Sequence, residues 1–168
     1  MKYITYSIIT GSLMLALMAC EKRAYQRKLP ELEHHYYAVF VPNSNDTITS
    51  SKRTDLIKLP VQFYSAFTRN YDAVAKYTFS TTGYTLPAVR GVDFDVVDKN
   101  GNVIPATDNT YTMIFPQALQ AMDTVYVKLL NNTATGVRQF EIQLLDNITD
   151  EFEVDIFSTA FKKPVKIK

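Results

Sequence analysis

The sequence predicts an all-β protein in which two antiparallel sheets pack face to face. Three observations carry that expectation. Short runs rich in Val, Ile, Tyr, Phe and Thr place apolar residues at every second position. No segment holds a helical apolar period beyond a couple of turns. One pair of runs is joined by Asn100-Gly101, the dipeptide that suits a tight hairpin turn. Successive side chains on a strand point to opposite faces, so one apolar and one polar phase describe a half-buried strand. Eight or nine such strands at regular spacing call for a second sheet to cover the first.

Taken in order, "YYAVFV" (Tyr36 to Val41) is the first strand, ended by Pro42 and the loop "PNSNDTITSSKR". "LIKLPVQFYSA" sets Ile57, Leu59, Val61 and Phe63 on one face. Pro60 lacks a ladder donor, which predicts an edge strand or a bulge there. "AVAKYTFST" groups Ala75, Tyr77 and Phe79 against Lys76 and Thr78. "VDFDVVDKNGNVIP" reads as a hairpin, with Phe94 and Val96 on one face and Asp93 and Asp95 on the other. "TYTMIF" leads into "PQALQAM", which suggests one short helical turn. "DTVYVKLL" alternates Val125, Val127 and Leu129 against Tyr126 and Lys128. "RQFEIQLL" does so with Phe140, Ile142 and Leu144, and "EFEVDIF" with Phe152, Val154 and Ile156; "KPVKIK" closes the chain.

The first residues have a different character. Lys2 precedes an apolar stretch from Ile4 to Leu17, shorter than the roughly 20 residues of a membrane span and closing on small residues, as a secretory signal does. Leu17-Met18-Ala19-Cys20 resembles the lipobox of bacterial lipoproteins, with Met18 a mild departure. The resemblance implies cleavage after residue 19 and acylation of Cys20, the chain's only cysteine and therefore without a disulfide partner within it. Each buried methylene contributes about 0.8 kcal/mol, so several acyl chains on one cysteine give durable anchoring. The expected organisation is a signal over 1–19, a polar tether over 20–34 and one sandwich domain over 35–168. The expected location is the outer membrane, on either face. With residues 1–19 removed, Lys and Arg balance Asp and Glu, so no basic stripe invites nucleic acid.

Ala88 to Phe94 reads "AVRGVDF". With "YTFSTTGYT" before it and "YTMIFPQALQAMDTVYVKLLNN" and "FEIQLL" after it, the chain resembles the Calx-β type of immunoglobulin-like domain over about residues 36–157. It is similar in particular to small Bacteroidota lipoproteins carrying such a domain, often beside glycan-uptake genes. The resemblance implies an immunoglobulin-like antiparallel β-sandwich. The family's Pro-x-Gly turn is Pro116-Gln117-Ala118 here. The Asp-Asp pair of calcium-binding members is Asn131-Asn132, which speaks against calcium by that route. Asp46-Thr47-Ile48 is similar to the O-glycosylation acceptor of exported Bacteroidota proteins, making Thr47 a candidate; Asp123-Thr124-Val125 matches more weakly because it opens a strand.

Candidate chemistry is sparse. His34 and His35 are the only histidines, and as neighbours on a strand they point apart, so both are expected to be solvated. No histidine within the sandwich could serve a Ser-His or Cys-His arrangement. Asp93 and Asp95 share a phase, with Cβ atoms about 7 Å apart, but on one strand they read as a solvated face. Asp98 to Asn102 reads as a turn, its glycine falling too early for a calcium loop. Tyr36, Tyr37, Tyr64, Tyr71, Tyr84, Tyr111 and Tyr126 exceed what a core needs, and tyrosine suits both sugar stacking and protein contact. The expectation is a non-enzymatic binding or accessory component of a glycan-uptake system, with no cofactor or metal, its partner a polysaccharide or a neighbouring protein. The alternative is a structural or adhesin-type lipoprotein making protein contacts through an edge strand, either the Pro60 strand or "VKIK".

Overall fold

The period-two runs become strands whose apolar phases meet in one shared interior. The computed structural model describes residues 35–51, 55–65, 68, 70–117 and 119–168. The predicted signal over 1–19, Cys20, the predicted tether over 20–34 and His34 lie outside them. Among the described residues eleven strands occur: β1 His35–Phe40, β2 Ile48–Ser50, β3 Ile57–Ser65, β4 Ala73–Ser80, β5 Phe94–Val97, β6 Thr110–Phe115, β7 Gln120–Leu129, β8 Arg138–Leu145, β9 Asn147–Ile148, β10 Glu153–Ile156 and β11 Lys162–Ile167. One sheet has the order β5-β7-β3-β1-β10-β9, the other β2-β11-β8-β4-β6. This is the immunoglobulin-like β-sandwich that the sequence predicts.

Five details depart from expectation. Two pairings are parallel, β1 with β10 and β2 with β11. The predicted helical turn is absent among the described residues, Gln120 to Met122 instead opening β7. The second arm of the hairpin shrinks to a single bridge from Val97 to Val103. Pro60 sits in a central strand, between β7 and β1, and the reason is local. Its carbonyl accepts from the Val41 amide at 2.9 Å. In an antiparallel ladder a residue's N–H and C=O point to the same neighbour, so the donor that proline lacks falls just past the end of β1. The "VKIK" strand is no edge either, since β11 lies between β2 and β8.

Aromatic pairs join the sheets. Phe94 of β5 stacks on Phe140 of β8 with centroids 3.8 Å apart, and Phe63 of β3 on Phe115 of β6 at 4.7 Å. Tyr77 and Tyr111, neighbours on β4 and β6, stack at 5.1 Å. Such contacts are worth about 0.5–1.5 kcal/mol each beyond area burial, which matters in a core with neither disulfide nor tryptophan. Lys163 is buried at the margin, its ammonium donating to the Pro42 and Ser44 carbonyls at 3.1 and 2.6 Å.

Ala88, Gly91, Asp93 and Phe94 of the "AVRGVDF" segment serve the fold. Ala88 is buried and donates its amide to Gln139 O, Gly91 takes a φ of 79°, and Phe94 enters the core. Asp93 is only 2% exposed, which corrects its reading as part of a solvated face. Its Oδ2 accepts from the Val89 amide and its Oδ1 from Asn132 Nδ2, both at 2.8 Å, while its carbonyl accepts from the Leu130 amide at 2.9 Å. Asp93 thus pins the loop after Ala88 to the end of β7. Asp95 alone stays at the surface phase, 3.7 Å from Arg90.

Two predictions follow from these contacts. Asp93→Ala leaves buried donors unpaired and should cost about 2–4 kcal/mol in urea unfolding, against less than about 1 kcal/mol for Asp95→Ala; equal costs would overturn the pinning role. Burial, and then their mutual proximity in the case of Tyr77, raises the phenols of Tyr77 and Tyr111 above the ordinary 10.0. Because the folded values are raised, their contribution is complete below pH 10 and is lost as pH rises beyond it. Lys163, lowered by burial, gains stability only up to its ordinary 10.5, so net loss should set in above that. Circular dichroism against pH should therefore show alkaline unfolding, with Tyr77→Phe moving its midpoint upward.

Candidate functional site

The two outer faces differ in chemistry. On the β4-β8-β11 side the outward phase carries Lys76, Thr78, Glu141, Gln143, Lys162 and Lys166. Part of this face is internally paired: Glu141 accepts from Tyr84 Oη at 3.1 Å and lies 3.3 Å from Lys162 Nζ, while Ile114 on the neighbouring edge strand β6 is 62% exposed. Tyr84 is thereby tied down, its phenol raised by burial and then by Glu141.

The opposite face carries an aromatic strip. Tyr37 on β1 lies directly across from Tyr64 on β3, which faces Gln120 on β7. One row further, Val39 faces Gln62, which faces Met122. Phe157, immediately after β10, stacks on Tyr37 at 5.0 Å and 19°, and His35 stacks on the same ring at 5.2 Å and 18°. Tyr64 is 38% exposed, Phe157 42% and Met122 59%. Tyr64 donates to Gln62 Oε1 at 2.6 Å. Tyr37, Val39, Asn43, Tyr64 and Phe157 line a shallow cleft of ≈ 300 Å³.

Beside the strip lies the one group of three or more His, Cys, Asp and Glu side chains that converges among the described residues. His35 pairs in register with Glu153, and Asp155 lies two residues further along β10 on the same outward phase. The ligand atoms of the three lie within 4.8 Å of one another, all half-buried, and His35 Nε2 contacts Asp155 Oδ2. His35 is therefore engaged with a carboxylate, not freely solvated.

The remaining predicted residues scatter. Thr47 is exposed in the loop before β2. Tyr36 and Tyr111 belong to the core, and Tyr36 Oη meets Tyr71 Oη at 2.6 Å. Tyr126 is half-buried on β7. Asp98 organises its own turn: hydrogen bonds from the Asn102 side chain and amide, and then from Asn100, hold its carboxyl below the usual range. Calcium at the loop end, which the Calx-β resemblance raises, does not fit these residues. Asn132 turns its amide nitrogen, a donor, onto Asp93 where a cation would need a lone pair. Sequence reading missed Phe157, Met122, Glu153 and Asp155. The acidic i, i+2 spacing of Glu153 and Asp155 was visible, but only the parallel β1–β10 pairing reveals its partner.

No protein-family model matches the chain, and no curated protein matches it. Solved structures do. The Calx CBD2 domain is 9% identical with a TM-score of 0.52, over 78% of this chain and 85% of that one. The calcium binding domain CBD12 of CALX1.1 is 14% identical with a TM-score of 0.50, and this chain spans 44% of its length and 78% of its own. A type III cohesin module from the ScaE scaffoldin of Ruminococcus flavefaciens is 10% identical with a TM-score of 0.43, over 87% of this chain and 95% of that one. The two Calx likenesses establish the sandwich fold.

Proposed function

We propose that this chain is a non-catalytic envelope lipoprotein, held at the outer membrane through acylated Cys20, whose sandwich binds a protein partner on the face of β1, β3 and β7. One observation carries the reading: the outer faces are unequal, one mainly polar across β4, β8 and β11 with Ile114 as an isolated exposed apolar residue at its β6 edge, the other crossed by a partly exposed Phe157–Tyr37–Tyr64 strip with Met122 beside it. Aromatic and Met anchors bordered by polar groups such as Gln62, Gln120 and Asn43 are the composition of a protein-contact patch.

A protein partner is favoured over a polysaccharide by ring geometry. A sugar ring packs on an open aromatic face, whereas Tyr37 has both faces occupied, by His35 and by Phe157. The rings form a column, not a coplanar platform. Under this reading the chain is the protein-contacting member of a larger assembly, and a glycan-uptake complex is the setting suggested by the sequence resemblance. Exposure of Thr47 supports its reading as an O-glycan acceptor.

Two measurements test the proposal. Crosslinking and pull-down from native membranes should recover a discrete partner with the wild-type chain and with Lys166→Ala on the opposite face. Recovery should fall by about 30-fold or more in Tyr64→Ala and Phe157→Ala, the loss expected of a hot spot worth about 2 kcal/mol. Equal recovery from all four proteins would refute this face as the contact. Retardation by a polysaccharide in affinity electrophoresis, lost in the same two variants, would replace the protein with a glycan. Separately, Cys20→Ser should abolish incorporation of labelled palmitate and release the chain from the membrane fraction; unchanged labelling would exclude Cys20 as the attachment point.

A further inference from the structure

We infer that His35, Glu153 and Asp155 form a binding site for a divalent first-row transition ion, with Zn²⁺ the natural probe. Parallel pairing sets His35 beside Glu153 and Tyr37 beside Asp155, so one imidazole and two carboxylates leave the same face of two adjacent strands. No loop has to fold to assemble them. Their ligand atoms already lie within 4.8 Å of one another. Bonds of about 2.0–2.2 Å to a tetrahedral Zn²⁺ place ligand atoms about 3.4 Å apart, within reach of small side-chain rotations.

Charge points the same way. Among the described residues no lysine or arginine pairs with Glu153 or Asp155; the imidazole alone faces them. Two carboxylates and a neutral imidazole carry a charge of −2, which a divalent ion cancels. A half-buried position strengthens that attraction relative to open solvent. The mixed nitrogen and oxygen set argues against Ca²⁺ or Mg²⁺, which require six or more oxygen ligands or near-octahedral oxygen geometry.

The imidazole is also held in place. Its ring stacks on Tyr37, which stacks in turn on Phe157. Such outer support orients a ligand and lowers the cost of organising the site. Three protein ligands leave a fourth position open on the outward side. The ion would bridge β1 and β10, so binding would stabilise the fold as well as fill the site.

The test is calorimetric titration of Zn²⁺ into the full-length protein in detergent, read beside its melting temperature. One ion should bind per chain and raise the melting temperature, while Ca²⁺ should do neither. His35→Ala, Asp155→Asn and Glu153→Gln should each weaken binding by about 100-fold or more, beyond the ~10–100-fold cost of losing an outer partner. Lys166→Ala, on the other sheet, should change nothing. Glu153→Gln preserves side-chain shape at a position with no ion-pair partner among the described residues, so its effect does not depend on a folding defect. Co²⁺ should give the visible bands of tetrahedral ligation without a thiolate charge-transfer band, which separates this site from Cys20. Absence of binding, binding that survives all three substitutions, an equal response to Ca²⁺, or a thiolate band would each overturn the assignment.

Discussion

The first strand is hydrogen-bonded on both sides, antiparallel to β3 and parallel to β10, and most of the molecule's surface chemistry depends on that double pairing. Its inward phase, Tyr36, Ala38 and Phe40, is fully buried. Its outward phase is His35, Tyr37 and Val39. A strand's side-chain period is two, so slipping the register by one residue would expose Phe40 and bury His35. Core packing therefore selects the register, and the register dictates which side chains meet outside. The aromatic strip and the His35 cluster are consequences of the way Tyr36 and Phe40 are buried.

The other end of the sandwich follows a different logic. There a loop is joined to the core by hydrogen bonds rather than by rings, and Asp93 carries the junction. A carboxylate this deeply buried is tolerated because both oxygens accept from firm donors, one of them the Asn132 amide. That neutral donor completes the junction internally. The same residues that make the segment look like a family signature, Ala88, Gly91, Asp93 and Phe94, are each used up in holding the fold. A motif of this kind predicts architecture well and function poorly, because none of its groups is left over for a ligand.

Legibility in the sequence tracks the range of the interaction. Alternation along "LIKLPVQF" or "RQFEIQLL" is a property of a few consecutive residues, so their buried phases could be read directly. Pro60 misled because its tolerance depends on where a different strand stops. Asp93 misled because strand phase gives a direction but not a partner, and its partners sit at Val89 and Asn132. His35 and Asp155 are separated by 120 positions, and nothing local to "HHYY" or "EVDI" announces that they meet. The tyrosines were visible as a surplus, but sorting Tyr36 and Tyr111 into the core and Tyr37 and Tyr64 to the surface required the ladder.

The two proposals rest on one geometric fact and remain separable in chemistry. The aromatic strip runs across strands, from Phe157 through Tyr37 to Tyr64, and the His35 cluster lies at its β10 end. Tyr37 is common to both: its ring supports His35 on one side and Phe157 on the other. An ion at His35 would hold the start of this ring column, leaving Phe157 and Tyr64 as the parts a partner touches. A protein contact there does not require the ion, since burial of aromatic area is independent of charge. The open coordination position nevertheless faces the same surface as the strip, so a partner that places a carboxylate or imidazole beside Phe157 could engage both. A fold whose other outer face is mainly polar across β4, β8 and β11 has set both its aromatic strip and the His35, Glu153 and Asp155 group beside the strand at which the sandwich begins.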